Sequence, residues 1–133
     1  MDNCIFCKII KKEIPSFIVY EDSNFLAFLD INPNSAGHVQ VIPKQHVRWV
    51  WDLPAQAGVP GNVGDYFRVV QKIAKAEQKA FNTDWVLSKI VGEDVEHAHI
   101  WVYPASPAGR PNSNISGDSK DFQINKNKII ENL

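Results

Sequence analysis

From Val95 to Pro104 apolar side chains fall at every second position, in the order Val95-Glu96-His97-Ala98-His99-Ile100-Trp101-Val102-Tyr103-Pro104. A period of two is that of a β-strand, whose alternate side chains share a face. His97, His99, Trp101 and Tyr103 therefore belong to one face, and Ala98, Ile100 and Val102 to the other. Same-face neighbours stand roughly 6.6 Å apart, twice the rise per residue. Two imidazoles at that separation cannot both bond one small atom, so His97 and His99 are expected to do different work.

The rest of the chain supplies a scaffold for that strand. Ile5, Phe6, Ile9 and Ile10 at helical spacing, with Lys8, Lys11 and Lys12 outside, predict a short helix over 4–12 that Pro15 stops. Runs rich in β-formers predict strands at 17–20, 25–30 and 38–42, separated by Glu21-Asp22-Ser23-Asn24 and Asn32-Pro33-Asn34-Ser35. Residues 44–61 hold Trp49 and Trp51 and end in a Pro/Gly-rich loop. Asn62 is placed to cap a helix over 62–81, with Asp65 as a box-like partner. Tyr66, Phe67, Val70, Ile73, Ala74 and Phe81 form its apolar side, and Asp65, Arg68, Lys72, Lys75 and Lys79 the polar one. Glu77 interrupts the apolar side and is expected near its edge or beside a basic partner. Strands at 84–91 and 96–103 follow.

Residues 105–117 are rich in Pro, Ser, Asn and Gly and read as a loop. Phe122, Ile129, Ile130 and Leu133 predict a terminal helix that docks on the body or on a second subunit. The predicted fold is α+β, with one antiparallel sheet of about five strands and a long helix. The expected division is a domain over 1–104 and a tail over 105–133.

Composition narrows the function classes. A chain of 133 residues, 44% hydrophobic and 22% charged, suits one soluble domain with one core. No apolar run reaches membrane-span length, and the N-terminus lacks a signal-peptide pattern. The expected compartment is the cytoplasm, with no membrane partner. A net charge of −1 without a basic stripe argues against a nucleic-acid polymer as partner. In a reducing compartment two cysteines are thiols or metal ligands before they are a disulfide. Cys4-x-x-Cys7 supplies two soft ligands, whereas a closed zinc site needs four. With no second cysteine pair, histidines from the set His38, His46, His97 and His99 would have to complete it. The competing reading is two buried thiols beside a helix start.

Several motifs stand in a fixed order: Cys4-Ile5-Phe6-Cys7-Lys8-Ile9-Ile10, Ile14-Pro15, Val19-Tyr20-Glu21-Asp22, Leu26-Ala27-Phe28-Leu29-Asp30-Ile31, Gly37-His38, Val41-Ile42-Pro43-Lys44-Gln45-His46 and His97-Ala98-His99. Over about residues 4 to 104 the chain resembles the histidine-triad (HIT) proteins, and within them the Hint-like branch. That resemblance implies a structural zinc ion held by Cys4, Cys7, His46 and His97. It also implies that His99 is the nucleophile, attacking the α-phosphorus of a purine nucleotide conjugate such as a nucleoside phosphoramidate. Water would then release the nucleoside monophosphate from a nucleotidyl-histidine. Asp30 matches the residue that accepts hydrogen bonds from the ribose hydroxyls. Phe28, Ile31, Phe6 and Ile9 match the walls of the base pocket, and His38 a histidine close to the phosphate. A homodimer with the sheet continued between subunits is the usual assembly of such proteins.

Two departures bear on catalysis. Trp101 stands where the family has its third histidine, and an indole N–H donates a hydrogen bond but exchanges no proton at neutral pH. Help to the leaving group would then fall to His38 or to the substrate, so amine leaving groups are expected to be tolerated better than phosphate or alcohol. Asp94 occupies a position usually held by serine, just before Val95, where backbone N–H groups serve the phosphate. A carboxylate there repels phosphate unless it turns away or holds a cation. The same sequence therefore also fits a nucleotide-binding module with weak or no turnover. Trp49 and Trp51 are expected in the core or a subunit interface.

Overall fold

Alternation along a strand gives a sheet two faces, and here the faces are covered unequally. The computed structural model describes residues 3–106 and 118–133. Among these residues five strands, β1 (Ile18–Glu21), β2 (Phe25–Leu29), β3 (Val39–Pro43), β4 (Val86–Lys89) and β5 (Ile100–Pro104), pair antiparallel in the order β1-β2-β3-β5-β4. Three helices accompany them: α1 (Ile5–Ile10), α2 (Val63–Ala80) and α3 (Phe122–Glu131). The α+β plan expected from the pattern is the observed one.

One face is fully apolar. Phe25, Ala27, Leu29, Val39, Val41, Ile100 and Val102 meet Tyr66, Val69, Ile73, Ala76, Phe81 and Ile129 in the main core. Asn62 caps α2, its Oδ1 accepting from the Asp65 N–H at 2.8 Å while its Nδ2 donates to the Asp65 carboxylate at 2.9 Å. Tyr66 stacks on Phe25 at 5.3 Å and donates its hydroxyl proton to the Val41 carbonyl. The helix α3 packs against α2 and β1, with Phe122 stacked on Phe17 and Ile129 buried. Residues 107–117, where most of the expected loop falls, lie outside the described residues.

The inward side of α2 is rotated from the expected one. Val69 and Ala76 are buried, whereas Phe67 is half exposed. Counting from the anchored Tyr66, the strict helical neighbours are 69, 70, 73, 76 and 77, which leaves 67 on the flank. Glu77 therefore falls in the middle of the core rather than at its edge. Both of its oxygens are buried without a hydrogen-bond partner among the described residues, and burial holds its pKa well above the usual carboxylate range.

Among the described residues, the one helix on the other face is the short α1. Phe6 and Ile9 pack on Leu26, Phe28 and Ile42, with Val95 at the margin. Beyond that patch the face is polar, holding Gln40, His38, His99, Trp101 and Tyr103. The hydrogen-bonded part of the last strand starts at Ile100 rather than at residue 96. Pro43 ends β3 without an N–H to offer. In place of ladder bonds, the Ala98 N–H donates to the Val47 carbonyl at 2.8 Å, and His97 Nε2 donates to the Pro43 carbonyl at 2.7 Å. Alternation nevertheless persists through this stretch, since Ala98 joins the main core and His99 faces Phe6 at 5.2 Å.

Candidate active site and metal centre

The helix α1 begins at Cys4, whose sulfur accepts a hydrogen bond from the Cys7 N–H at 3.4 Å. One helical turn thus sets both sulfurs on one side. There they meet two imidazoles from distant parts of the chain, His46 after β3 and His97 before β5. Cys7 Sγ lies 3.2 Å from His46 Nδ1 and 3.5 Å from His97 Nδ1, Cys4 Sγ lies 3.5 Å from His97 Nδ1, and the two Nδ1 atoms are 3.2 Å apart. Bonds of about 2.0–2.1 Å to nitrogen and 2.3 Å to sulfur in a tetrahedron require ligand separations of roughly 3.3–3.8 Å. All four ligand atoms lie within 4.8 Å of one another, so the cluster fits one ion. The bond from His97 Nε2–H to Pro43 leaves the Nδ1 lone pair for a metal, the usual outer-shell arrangement. Burial, opposed by that hydrogen bond, lowers the His97 pKa and favours the neutral ligand form. Burial, together with the hydrogen bond and charge of Cys4, pushes the Cys7 thiol up to about 11; a divalent cation reverses that preference, because thiolate is the ligating form.

Two residues along from His97, His99 is buried at the base of the polar face. Its Nδ1 lies 2.8 Å from the His97 carbonyl oxygen. A carbonyl only accepts, so Nδ1 carries the proton and the Nε2 lone pair is free. Asp94 Oδ1 stands 3.6 Å from that Nε2 on an exposed side chain. The substituted carboxylate does not turn away from the imidazole.

A cavity of about 230 Å³ opens beside these groups, lined by Ile5, Phe6, Ile9, Phe28, Ile31, Val95 and others, with Asp30 and Gln40 as polar groups at its wall. Phe6 and Phe28 meet edge to face at 5.5 Å. Ile31 is two-thirds exposed and forms the lip. The Asp30 carboxylate is fixed from both sides, Oδ1 accepting from the Asn32 N–H at 2.8 Å and Oδ2 from Gln40 Nε2 at 2.8 Å. Every sequence-predicted base and ribose position therefore borders this cavity. Gln40 was not among them. Its signal was a single amide inside the apolar run Val39-Gln40-Val41-Ile42.

His38 sits farther along the same face, on a turn that Gly37 permits. Gly37 has φ of +83°, and a Cβ there would strike the Phe81 ring at 2.4 Å. The Asn34 N–H donates to His38 Nδ1 at 3.0 Å, so the ring proton is on Nε2. Burial, and secondarily Lys89, outweigh the opposing charge of Asp30 and bring the His38 pKa down to about 4. At neutral pH it is a hydrogen-bond donor and not an acid, and its 3.7 Å approach to Asp30 is no ion pair. Its ring lies 5.0 Å from Trp101 and 5.3 Å from Tyr103.

The loop that carries Asp94 and Val95 is held by Arg48, a residue that sequence patterns did not single out. Arg48 Nη1 donates to the Gly92 carbonyl at 2.6 Å and to the Val95 carbonyl at 3.4 Å, and its guanidinium lies 4.0 Å over the Trp49 ring. Gly92 at φ +75° presses on that same indole, where a Cβ would come within 2.8 Å. Trp49 and Trp51 are largely exposed, so neither is a core residue. Trp49 is instead a platform under the loop, a contact that only the fold creates.

A family model for the HIT domain matches residues 11–107. "Protein hit" of Bacillus subtilis is 41% identical over 108 residues, which cover 77% of this chain and 71% of that protein. The adenosine 5′-monophosphoramidase HNT1 of Saccharomyces cerevisiae is 38% identical over 102 residues, covering 76% of this chain and 61% of the yeast enzyme. A Hit-like protein of Bartonella henselae superposes with a TM-score of 0.79 at 35% identity, over 100% of this chain and 98% of its own. A zinc-bound histidine triad protein of Mycobacterium smegmatis gives 0.76 at 28% identity, over 98% and 95%. With the family model covering residues 11–107, and with its sheet and its cysteine–histidine cluster agreeing with these matches, the chain belongs to the HIT family.

Proposed function

We propose that this protein is a nucleotidyl hydrolase that cleaves a purine nucleoside 5′-phosphoramidate, or a related nucleotide conjugate, at the α-phosphorus. The observation that carries the reading is the tautomer of His99, whose free Nε2 lone pair lies beside an apolar cavity that ends in a doubly fixed Asp30. In this reading Phe6, Ile9, Phe28 and Ile31 sandwich the base and Asp30 accepts from the ribose hydroxyls. His99 Nε2 attacks phosphorus. The P–N bond of the substrate breaks with its electron pair going to the leaving amine, which takes its proton from solvent. Water then cleaves the bond between phosphorus and His99 Nε2, releasing the monophosphate and neutral imidazole with a proton to solvent. Backbone N–H groups near Val95, with the His38 and Trp101 N–H groups, face the phosphate oxygens. The monophosphoramidase activity of the yeast relative points to the same substrate class.

The ion held by Cys4, Cys7, His46 and His97 is, on the same reading, a structural zinc. Two thiolates and two imidazoles suit it, and four protein ligands leave no open position for chemistry. Metal analysis of the wild type should give one zinc per chain, and His46→Ala should lose metal and thermal stability together. The edge strand β4, flanked by the exposed Trp85, Ile90 and Val91, is where we place pairing with a second copy; sedimentation at dimer mass would support this.

Release of AMP from adenosine 5′-phosphoramidate tests the central reading. Wild type should turn over and His99→Ala should not. A second reading, a nucleotide binder without turnover, draws on Asp94 at 3.6 Å from the His99 Nε2 and on Trp101 as a residue unable to deliver a proton. AMP binding by the wild type in the absence of any AMP release would select it.

A further inference from the structure

A second cavity, of about 300 Å³, lies against the cysteine–histidine cluster, with Cys4, Ile5 and His46 in its wall. The two cysteines differ in access: Cys4 is half-buried and borders this cavity, whereas Cys7 is buried. A solute entering the cavity therefore meets Cys4 Sγ first, and Cys7 Sγ stands within 4.8 Å of it. The Cys7 N–H that donates to Cys4 Sγ at 3.4 Å favours negative charge on that sulfur. Phe6 lies between the two cysteines in the chain. Its ring stands 5.2 Å from His99, 5.9 Å from His97 and 5.5 Å from Phe28, and Ile5 lines both cavities. Joined through one ion, the four ligands tie this turn of α1 to the segments that leave β3 and enter β5. The wall of the base cavity is thus held in place by the same two sulfurs, one of which is open to solvent.

We propose that Cys4 is a site of oxidative modification, at which a hydroperoxide converts the ligand pair Cys4 and Cys7 to a disulfide and so loosens the wall of the nucleotide cavity. This rests in part on the nucleotide reading above and adds to it a control by oxidation. The Cys4 thiolate attacks hydrogen peroxide; an S–O bond forms, the O–O bond breaks and hydroxide leaves. The Cys7 thiolate then attacks the Cys4 sulfur, an S–S bond forms, and the S–O bond breaks with loss of a second hydroxide. The two sulfurs lose two electrons, peroxide gains them, and solvent protons turn both hydroxides into water. His46 and His97 alone then remain as ligands, too few for a closed zinc site. A link between residues 4 and 7 has replaced one that reached residues 46 and 97. The new bond is confined to the first turn of α1 and no longer fastens Phe6 against His99. A reducing dithiol reverses the chemistry and restores all four ligands.

The test uses the full-length, zinc-loaded chain, treated with hydrogen peroxide beside a zinc-sensitive dye. Zinc should be released as both thiols are lost, and the disulfide between Cys4 and Cys7 should appear in the peptide mass map. With dimedone present to capture sulfenic acid, the tag should fall on Cys4 and not on Cys7. AMP affinity by calorimetry should fall about tenfold, and dithiothreitol with zinc should restore it. The NMR resonances of the His99 ring, which the neighbouring Phe6 ring displaces in the reduced chain, should move on oxidation; that readout needs no nucleotide. Zinc retained at a peroxide dose that fully oxidises glutathione, or a tag on Cys7 in place of Cys4, overturns the proposal. So does a disulfide that leaves the AMP affinity and the His99 resonances unchanged. Failure of the reduced chain to bind AMP would sink the nucleotide reading alone, because zinc release and the His99 resonances still decide the role of Cys4.

Discussion

The two faces of the sheet are built to opposite rules. Toward α2 and α3, the facing residues of β2, β3 and β5 are apolar and pack into the main core. Toward α1, only one end is sealed, and the remainder carries polar groups whose hydrogen bonding is incomplete. Buried polar atoms without partners include Ser16 Oγ, His38 Nε2, Gln40 Oε1 and Trp101 Nε1, all on or beside the second face. On the first face the orphans are both Glu77 oxygens, where burial raises the carboxyl pKa, and Asn125 Oδ1. Unpaired polar atoms cost stability wherever they lie. Those on the second face include Ser16 and Gln40, which line the cavity, so that face carries polar groups that its own packing does not satisfy.

The sharpest way to break that comparison is to damage the apolar face alone. Ile73→Ala empties a fully buried position in α2 and should cost about 3 kcal/mol in urea unfolding, within the range for such cavities. The AMP affinity of the remaining folded protein should stay within about twofold. A matching loss of affinity would mean that the faces are coupled and that the division is superficial.

Acidity should separate the faces next. His38 has its pKa lowered from 6.5 to about 4 in the fold, so between those values the unfolded chain binds more protons. Its contribution is complete above pH 6.5 and is lost as pH falls toward 4, an effect of roughly 3 kcal/mol for a shift of this size. Glu77 has the opposite sign: its folded pKa lies well above the usual 4.5, so stability falls as pH rises above 4.5. Urea unfolding of the zinc-loaded protein across pH should show both limbs. His38→Asn should flatten the acid limb and Glu77→Met the alkaline one. A single limb removed by both substitutions would show that one titration had been assigned twice.

What the sequence revealed follows from the range of each interaction. Alternation at 95–104, the long amphipathic helix and the paired cysteines are local periodicities, and the fold preserves them even where ladder hydrogen bonds stop at Ile100. The rotation of α2 was hidden because Phe67 and Val69 are both apolar, and only the partner surface selects between them. Arg48 against Gly92 and Lys89 over Trp101 depend on how the β3–α2 segment and the β4–β5 hairpin meet in space. No periodicity within either segment encodes that meeting. Gln40 lay between these cases, visible as a polar residue in an apolar strand but without a partner until Asp30 is brought beside it.

Gln40 offers the smallest and most discriminating test, because its substitution should harm function and spare the fold. Gln40 Nε2 donates to Asp30 Oδ2 at 2.8 Å, while its Oε1 is buried with no donor. Replacing it by leucine removes one charge-assisted hydrogen bond from Asp30, which weakens its hold on that carboxylate. The same change relieves an unpaired buried carbonyl and adds apolar surface between Val39 and Val41, which offsets the loss in stability. Gln40→Leu should therefore unfold within about 0.5 kcal/mol of wild type, a surface-like effect, yet bind AMP about tenfold more weakly, or about 1.4 kcal/mol. Deoxy-AMP, which lacks one of the hydroxyls that Asp30 would accept from, should lose less affinity than AMP from the same substitution. Equal losses for the two nucleotides would place Gln40 outside the ribose contact and leave Asp30 held by the Asn32 N–H alone.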